Sequence, residues 1–285
     1  MSKQNSRFSF LVLAFGHLGS SAKKSLLSMD RVGPQFIFAM ADLAGVNWLQ
    51  SQVIPFLKTE VIFLQPDPEE LEQLQLSNKL EQDYSAFGEE RFIRLTAFKW
   101  AGILAAIQQF APDKVVFSDL DVVWLKRPEI EPEFELEKDS ISCQDDTPRS
   151  STKVHYCTGI MFWPNSHETV GRLQQLFRLQ KNQFRQGILT PDEPMFNFLV
   201  ESDEKFENIV RKLDPRKYVI GHRFFFYFSS KKFNEIVAYH ANYVVGEKRK
   251  DERMQTVILR SQQNPKWVLA YLSQVFQELK NRLKL

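Results

Sequence analysis

The hydrophobic pattern changes period several times along the chain, and each change marks an element. Phe8–Phe15 is apolar for eight residues, as expected of a strand covered on both faces. A helix is predicted over Ser20–Met29, a second strand over Gln35–Ala41, helix or mixed structure over Val46–Leu57, and a third strand over Glu60–Leu64. Phe92–Phe110 repeats apolar residues at helical spacing and predicts one long helix. Val115–Phe117 is a short fourth strand. Ser140–Gln144 and Thr158–Trp163 read as further strands, with loops over Glu129–Lys138 and around Asp145–Lys153. Ser166–Gln180 is a helix with Ser166 as its cap, and Pro191–Val200 starts another. An aromatic stretch at Phe224–Phe228, a strand at Ile236–Tyr239 and a helix from Lys266 to the end complete the pattern.

Alternating strand and helix signals imply an α/β fold, a Rossmann-like and mostly parallel central sheet flanked by helices. Ligands of such sheets bind beyond the carboxyl ends of the strands. Asp42 and the pair Asp119 and Asp121 sit at such ends.

Composition narrows the field. Lys plus Arg number 37 against 35 Asp plus Glu, and a net charge of +2 gives no reason to expect a nucleic-acid partner. Hydrophobic residues make up 43%, which excludes a disordered chain. Cys143 and Cys157 are too few for a disulfide framework and are read as reduced thiols. With no apolar run of about 18 residues and no signal-peptide pattern, the chain is expected to be cytoplasmic.

Three constellations can carry chemistry. In Val115-Val116-Phe117-Ser118-Asp119-Leu120-Asp121-Val122-Val123-Trp124, two carboxylates follow a buried strand. At the lip of a core they need partners, and they can converge on one hard divalent cation, Mg²⁺ or Mn²⁺. Taken alone, such a pair also fits a solvated turn. The second runs from His240 through Gly246 to Lys248: a nitrogen ligand, a glycine for close backbone approach and a cation for phosphate. By itself, His240 also fits an ordinary half-buried histidine. The third, Thr190-Pro191-Asp192-Glu193-Pro194-Met195-Phe196-Asn197, puts two acids at a helix start, where capping is the alternative.

In this order the three motifs resemble the nucleotide-diphospho-sugar transferases, glycosyltransferases of the GT-A fold. The likeness is to glycosyltransferase family 77 and, more distantly, family 8. It runs from about Phe8 to Lys248 and is most specific from Lys99 through Pro128; Thr158–Phe162 and the Leu213–Gly221 segment also match. The resemblance implies one catalytic domain. Residues 1–128 would be its nucleotide-sugar half, 129–250 its acceptor and metal-completing half with a smaller mixed subregion, and 251–285 a helical extension. It implies that Asp119 and Asp121 bind Mn²⁺ (or Mg²⁺) on the donor diphosphate, with His240 completing the metal site. Gly246 and Lys248 would contact phosphate, and Asp192 and Glu193 would flank the donor sugar. Lys99 would lie close to the donor, and Asp42 near the nucleoside. The expected reaction moves a sugar from a nucleotide-diphospho-sugar, by family likeness a UDP-sugar, to a glycan, lipid-linked or protein acceptor with retention. Glu193 stands where relatives often have Gln, and a carboxylate there is a candidate nucleophile.

Two departures stand out. Cys157 replaces an Asn common in relatives, and the His240 motif lacks the Pro-Trp ending of family 8. Two alternatives are a haloacid-dehalogenase-type phosphohydrolase, with Asp119 as nucleophile and Asp121 as acid/base, and a non-catalytic binding protein of the same fold. The C-terminal helix, apolar at Val268, Tyr271, Leu272, Val275, Phe276, Leu279 and Leu283 and rich in lysine and arginine, either packs on the catalytic domain or touches an anionic membrane. The Phe224–Phe228 run is expected to be core or cleft wall.

Overall fold

The computed structural model describes residues 8–16, 18–65, 89–128, 140–148, 151–228 and 231–283. The acidic stretch Glu129–Lys138, expected to be a loop, and part of the expected 145–153 loop lie outside the described residues. The first apolar run forms β1 (Phe8–Ala14), followed by α1 (Ser20–Arg31), β2 (Ile37–Ala41), α2 (Leu43–Gln52) and β3 (Val61–Leu64). β1 pairs in parallel with β2 and with β4 (Lys114–Ser118), and β2 pairs in parallel with β3. The buried run and the β–α alternation thus build the parallel half-sheet that the sequence predicts.

The remaining strands are β5 (Val122–Trp124), β6 (Ile141–Asp145), β7 (Tyr156–Pro164), β8 (Val210–Lys212), β9 (Tyr218–Ile220) and β10 (Ala238–His240). The large sheet runs β3-β2-β1-β4-β7-β6-β8, and a second sheet runs β5-β10-β9. Within the large sheet β7 is antiparallel to both β4 and β6. Three short strands, β5, β8 and β9, escape the sequence reading, because three residues hold too little pattern to show a period.

The long helix expected over Phe92–Phe110 is instead two, α3 (Glu90–Thr96) and α4 (Phe98–Phe110). The apolar periodicity continues across Ala97, so the break is invisible in the pattern. The break is slight: Ala97 keeps helical dihedrals (φ −64, ψ −26), and the Ala97 amide to the Arg94 carbonyl and the Trp100 amide to the Ala97 carbonyl (both 3.3 Å) span three residues rather than four. Ser166 caps α5 (His167–Arg185) as predicted, and its side chain accepts from the Thr169 amide. α6 (Asp192–Ser202), α7 (Glu204–Glu207) and α8 (Phe224–Phe228) follow. The last two helices are α9 (Glu247–Ser261) and α10 (Lys266–Leu283). α9 runs unbroken through position 250.

One apolar layer lies between the large sheet and α3–α6, another between that sheet, α1 and the small sheet. In the second layer, Trp124 ties α1 to the end of β4. It is fully buried, its amide donates to Ser28 Oγ (2.9 Å) and its indole N–H to Ser118 Oγ (3.0 Å). Trp124→Ala should cost about 3–5 kcal/mol and free the turn that joins β4 to β5. A third cluster joins the small sheet to α8, α9 and one face of α10, where Trp267 and Tyr271 meet Phe228. The aromatic run is therefore core. The other face of α10 exposes Leu269, Leu272, Phe276 and Leu279, so this helix is only partly absorbed by the domain.

Candidate functional site

Register places the first ligand set. β4 ends at Ser118, and the turn Asp119–Asp121 leads into β5. β10 pairs antiparallel with β5 and sets His240 opposite Val122, the residue after Asp121. The Ala241 amide donates to the Asp121 carbonyl at 2.9 Å. On the other side, the Asp119 amide donates to the Gly159 carbonyl at 2.8 Å, extending the β4–β7 ladder by one bond. A one-residue slip in either pair would turn these side chains to the opposite face.

The ligating atoms of Asp119, Asp121 and His240 all lie within 4.8 Å of one another. His240 Nε2 is 3.1 Å from Asp121 Oδ1 and 3.6 Å from Asp119 Oδ2. Gln144 Nε2 donates to the Tyr218 carbonyl at 3.2 Å, which turns Gln144 Oε1 toward His240 Nδ1 at 2.9 Å. A neutral His240 then carries its proton on Nδ1 and offers the Nε2 lone pair to the carboxylate side. Two carboxylates and one imidazole nitrogen, held by a fixed outer partner, are a donor set that suits Mn²⁺ or Mg²⁺.

Gly159 makes this convergence possible. A Cβ there would fall 2.1 Å from His240 Cε1 and 2.8 Å from Asp119 Oδ2. Any side chain at 159 must push the ligands apart.

The surrounding cations are arranged in two tiers. Lys99 is buried, and its ammonium meets Asp192 Oδ2 at 2.5 Å and the Thr158 carbonyl at 3.0 Å, with Asp119 Oδ1 at 3.9 Å. Thr158 Oγ1 donates to the same Asp192 oxygen at 2.6 Å. Burial alone would lower Lys99, but the Asp192 and Asp119 carboxylates raise it above the ordinary lysine range. Burial would raise Asp192, and Lys99 and Thr158 outweigh it and hold the group below the usual carboxylate range. Lys99 and Asp192 thus form a charged brace behind Asp119.

The second tier is Lys250, whose ammonium lies 2.7 Å from Asp121 Oδ2. Burial would raise Asp121, yet Lys250 and His240 hold it well below the usual carboxylate range. His240 in turn is raised, because the Asp121 and Asp119 carboxylates outweigh its burial. This is an anionic pocket whose charge is met by groups that a divalent cation can replace.

Gly246 precedes α9 with φ +91, a backbone that favours glycine. Lys248 is exposed and lines a cleft between α9 and α10 beside Ser273 and Gln277. Lys250, two residues on, is the lysine that reaches the carboxylates. In a helix two residues are about 200° apart, so only one of the pair can face Asp121. Sequence reading missed Lys250 because choosing between the two needs the helix start.

Asp42 caps α2. Its oxygens accept from the Gly45 amide (2.7 Å) and the Gly16 amide (3.0 Å). It stands at the carboxyl end of β2, with its carboxylate facing backbone donors. Glu193, at the start of α6, meets His155 Nε2 at 2.9 Å. Its neighbour Asn197 pins β7 to α6, exchanging bonds with the Tyr156 amide (2.9 Å) and carbonyl (2.8 Å). Cys143 and Cys157 are free and buried. The Cys157 sulfur is 3.8 Å from His240 Nδ1, so it borders the Asp119, Asp121 and His240 cluster.

No helix among the described residues is long and apolar enough to cross a membrane. No curated protein matches the chain by sequence. Solved structures similar to it include glycosyltransferases. The galactosyltransferase LgtC, in complex with donor and acceptor sugar analogs, aligns over 87% of this chain and 94% of its own (TM-score 0.57, 11% identity). Mouse xyloside xylosyltransferase 1 aligns over 83% and 98% (0.53, 13%). GlyE of Streptococcus pneumoniae TIGR4 aligns over 87% of this chain and 60% of its own (0.53, 12%), so the chain spans little more than half of that structure. At such identities the likeness establishes the GT-A fold alone. The family model for nucleotide-diphospho-sugar transferases, however, matches residues 69–254, more than half of the chain and all three motifs. The chain belongs to the nucleotide-diphospho-sugar transferase family.

Proposed function

We propose that this protein is a metal-dependent, retaining glycosyltransferase whose donor is a UDP-sugar. The observation that carries the reading is the convergence of Asp119, Asp121 and His240 within 4.8 Å at the carboxyl end of β4. When bound there, a divalent ion supplies Lewis-acid stabilisation of the leaving diphosphate. Asp119, Asp121 and His240 would hold it.

The chain's own residues divide the remaining work. Lys250, whose ammonium lies 2.7 Å from Asp121 Oδ2, would supply positive charge to the diphosphate. The Gly246 backbone joins it by family likeness. Together they neutralise the negative charge that grows as the sugar–phosphate bond breaks. Lys99 positions Asp119 and Asp192 from behind. Glu193 faces the sugar, where a carboxylate favours the oxocarbenium-like transition state, and Asp192 holds Lys99 behind Asp119. A double displacement through Glu193 accounts for retention, and single-turnover kinetics of Glu193→Gln test it: undiminished transfer would leave same-face attack in its place. Asp42 lies at the nucleoside end of the cleft and shapes it by holding Gly16 and α2. The acceptor is a glycan, a lipid-linked saccharide or a protein side chain.

Calorimetry of UDP and GDP, with and without Mn²⁺, tests the assignment on wild type and Asp121→Asn. Mn²⁺-dependent UDP binding that disappears in the variant is the expected result. A GDP preference would replace the donor, and a folded wild type that binds neither nucleotide would overturn the reading.

The exposed row Leu269, Leu272, Phe276 and Leu279 on α10, with Lys266 and Lys280 on the same helix, supports peripheral contact with an anionic membrane. Co-sedimentation with phosphatidylglycerol vesicles, lost in Leu272→Ser/Phe276→Ser, checks that contact.

A further inference from the structure

A second cluster rims the metal corner, and the donor assignment leaves it unused. Tyr243 follows His240 by three residues and has φ +59, a region that a residue with a Cβ occupies at an energetic cost. Core burial does not repay that cost, since Tyr243 is 65% exposed. Its hydroxyl donates to the carboxylate of Asp146, whose side chain is itself buried. The half-exposed His222 sets its ring edge-on to Tyr243, with centroids 5.5 Å apart, and its Nδ1 is 3.8 Å from Asp146 Oδ1. Across the rim stands the His155–Glu193 pair, whose charges Asp146 also feels.

The platform is tied to the metal corner. Asn242 Oδ1 accepts from the Gly221 amide at 2.7 Å, and Asn242 Nδ2 points at Cys157 Sγ, which borders His240. The ring of Tyr243 is thus locked at both ends, by a strained backbone and by a buried carboxylate, yet faces solvent beside the reaction centre. A flat apolar face next to half-exposed imidazoles matches a sugar ring. Its C–H face lies on the aromatic, and its hydroxyls meet nitrogen donors and acceptors.

We propose that Tyr243 and His222 form the acceptor subsite and that it takes a saccharide, stacked on the exposed face of Tyr243 with hydroxyls toward His222 and His155. Asp146 is a positioning residue that fixes the Tyr243 ring. The inference rests on the transferase reading for its term "acceptor", while the saccharide site can be measured separately.

Saturation-transfer NMR tests both on one sample. The protein is mixed with Mg²⁺, UDP and a panel of methyl glycosides (glucoside, galactoside, mannoside, xyloside and rhamnoside). At least one glycoside is expected to show saturation concentrated on the protons of one ring face. Tyr243→Gly removes the ring while suiting the backbone, and should cut that signal at least fivefold. Tyr243→Asn, which also tolerates the left-handed region, should do the same and serves if the glycine variant does not fold. Asp146→Asn should weaken the signal about twofold and spread it over both faces, an effect that a purely structural role would not produce. Equal glycoside signals in wild type and the ring-less variants would overturn the subsite. So would a UDP signal without any glycoside signal, which leaves the transferase reading intact. A glycoside signal without UDP would keep the saccharide site and overturn the transferase reading. Silence of both would overturn the two together.

Discussion

Asp42 and Asp121 occupy equivalent places, each a largely buried aspartate just beyond a strand of the central fold, yet they face opposite kinds of partner. Around Asp42 the donors are backbone amides, Gly16 and Gly45. Backbone donors cannot leave, so the charge is spent on holding the α2 start against β1. Around Asp121 the partners are Lys250 and His240. Side chains can swing away or lose a proton, so that charge remains available to a cation. Backbone donors fix Asp42 as a helix cap, whereas the side-chain partners of Asp121 leave it open to a cation.

Crossed substitutions would break this contrast most directly. Asp121→Asn should reduce Mn²⁺-dependent nucleotide affinity by about 100-fold or more, the loss expected when a direct ligand goes, since even outer partners cost 10–100-fold. Asp42→Ala should leave Mn²⁺ affinity within about twofold and cost about 2 kcal/mol of stability, from a lost helix cap and a buried Gly16 amide left unpaired. Calorimetry and urea melts read the two effects. A loss of Mn²⁺ affinity in Asp42→Ala would erase the distinction.

The next test keeps every ligand and changes only the room between them. Gly159→Ala inserts a methyl group into the 2.1 Å gap beside His240, and Mn²⁺ affinity should fall about tenfold or more while the fold persists, as calorimetry and circular dichroism would show. Gln144→Leu frees His240 Nδ1 without touching the carboxylates, and about a tenfold weaker Mn²⁺ site is expected. An unchanged affinity in Gln144→Leu would mean that β10 alone orients the ring.

The smallest effect concerns the rim. The Glu193 bond raises His155 above its ordinary value, against the opposing effect of its burial. Its folded pKa exceeds its unfolded one, so the pair stabilises the protein fully below about pH 6.5, and the contribution fades as pH rises through the folded value. His155 is 41% exposed, and solvent screening keeps this below about 1 kcal/mol. Imidazole NMR titration should show the His155 pKa falling back in Glu193→Gln; an unmoved titration would remove Glu193 as the cause.

Much of this architecture is legible along the chain. The apolar run of β1, the alternation through β4 and the Ser166 cap are local signals, set by burial on both faces and by helix-end chemistry. They place the Asp119–Asp121 turn at a strand end without any tertiary knowledge. The short strands β5, β8 and β9 are not local. They depend on what packs against them.

The sequence by itself determined the α/β order, the carboxylate pair at the end of β4 and the presence of His240 downstream, because strand burial and residue chemistry are written position by position. Only the tertiary structure decided which groups meet. The β5–β10 register brings His240 to Asp121, and the bare Gly159 lets them close. Gln144, 96 residues from His240 in sequence, fixes the imidazole proton. The phase of α9 sends Lys250 rather than Lys248 to the carboxylates. Each depends on a distance between segments far apart in the chain, and periodicity carries no information about such distances.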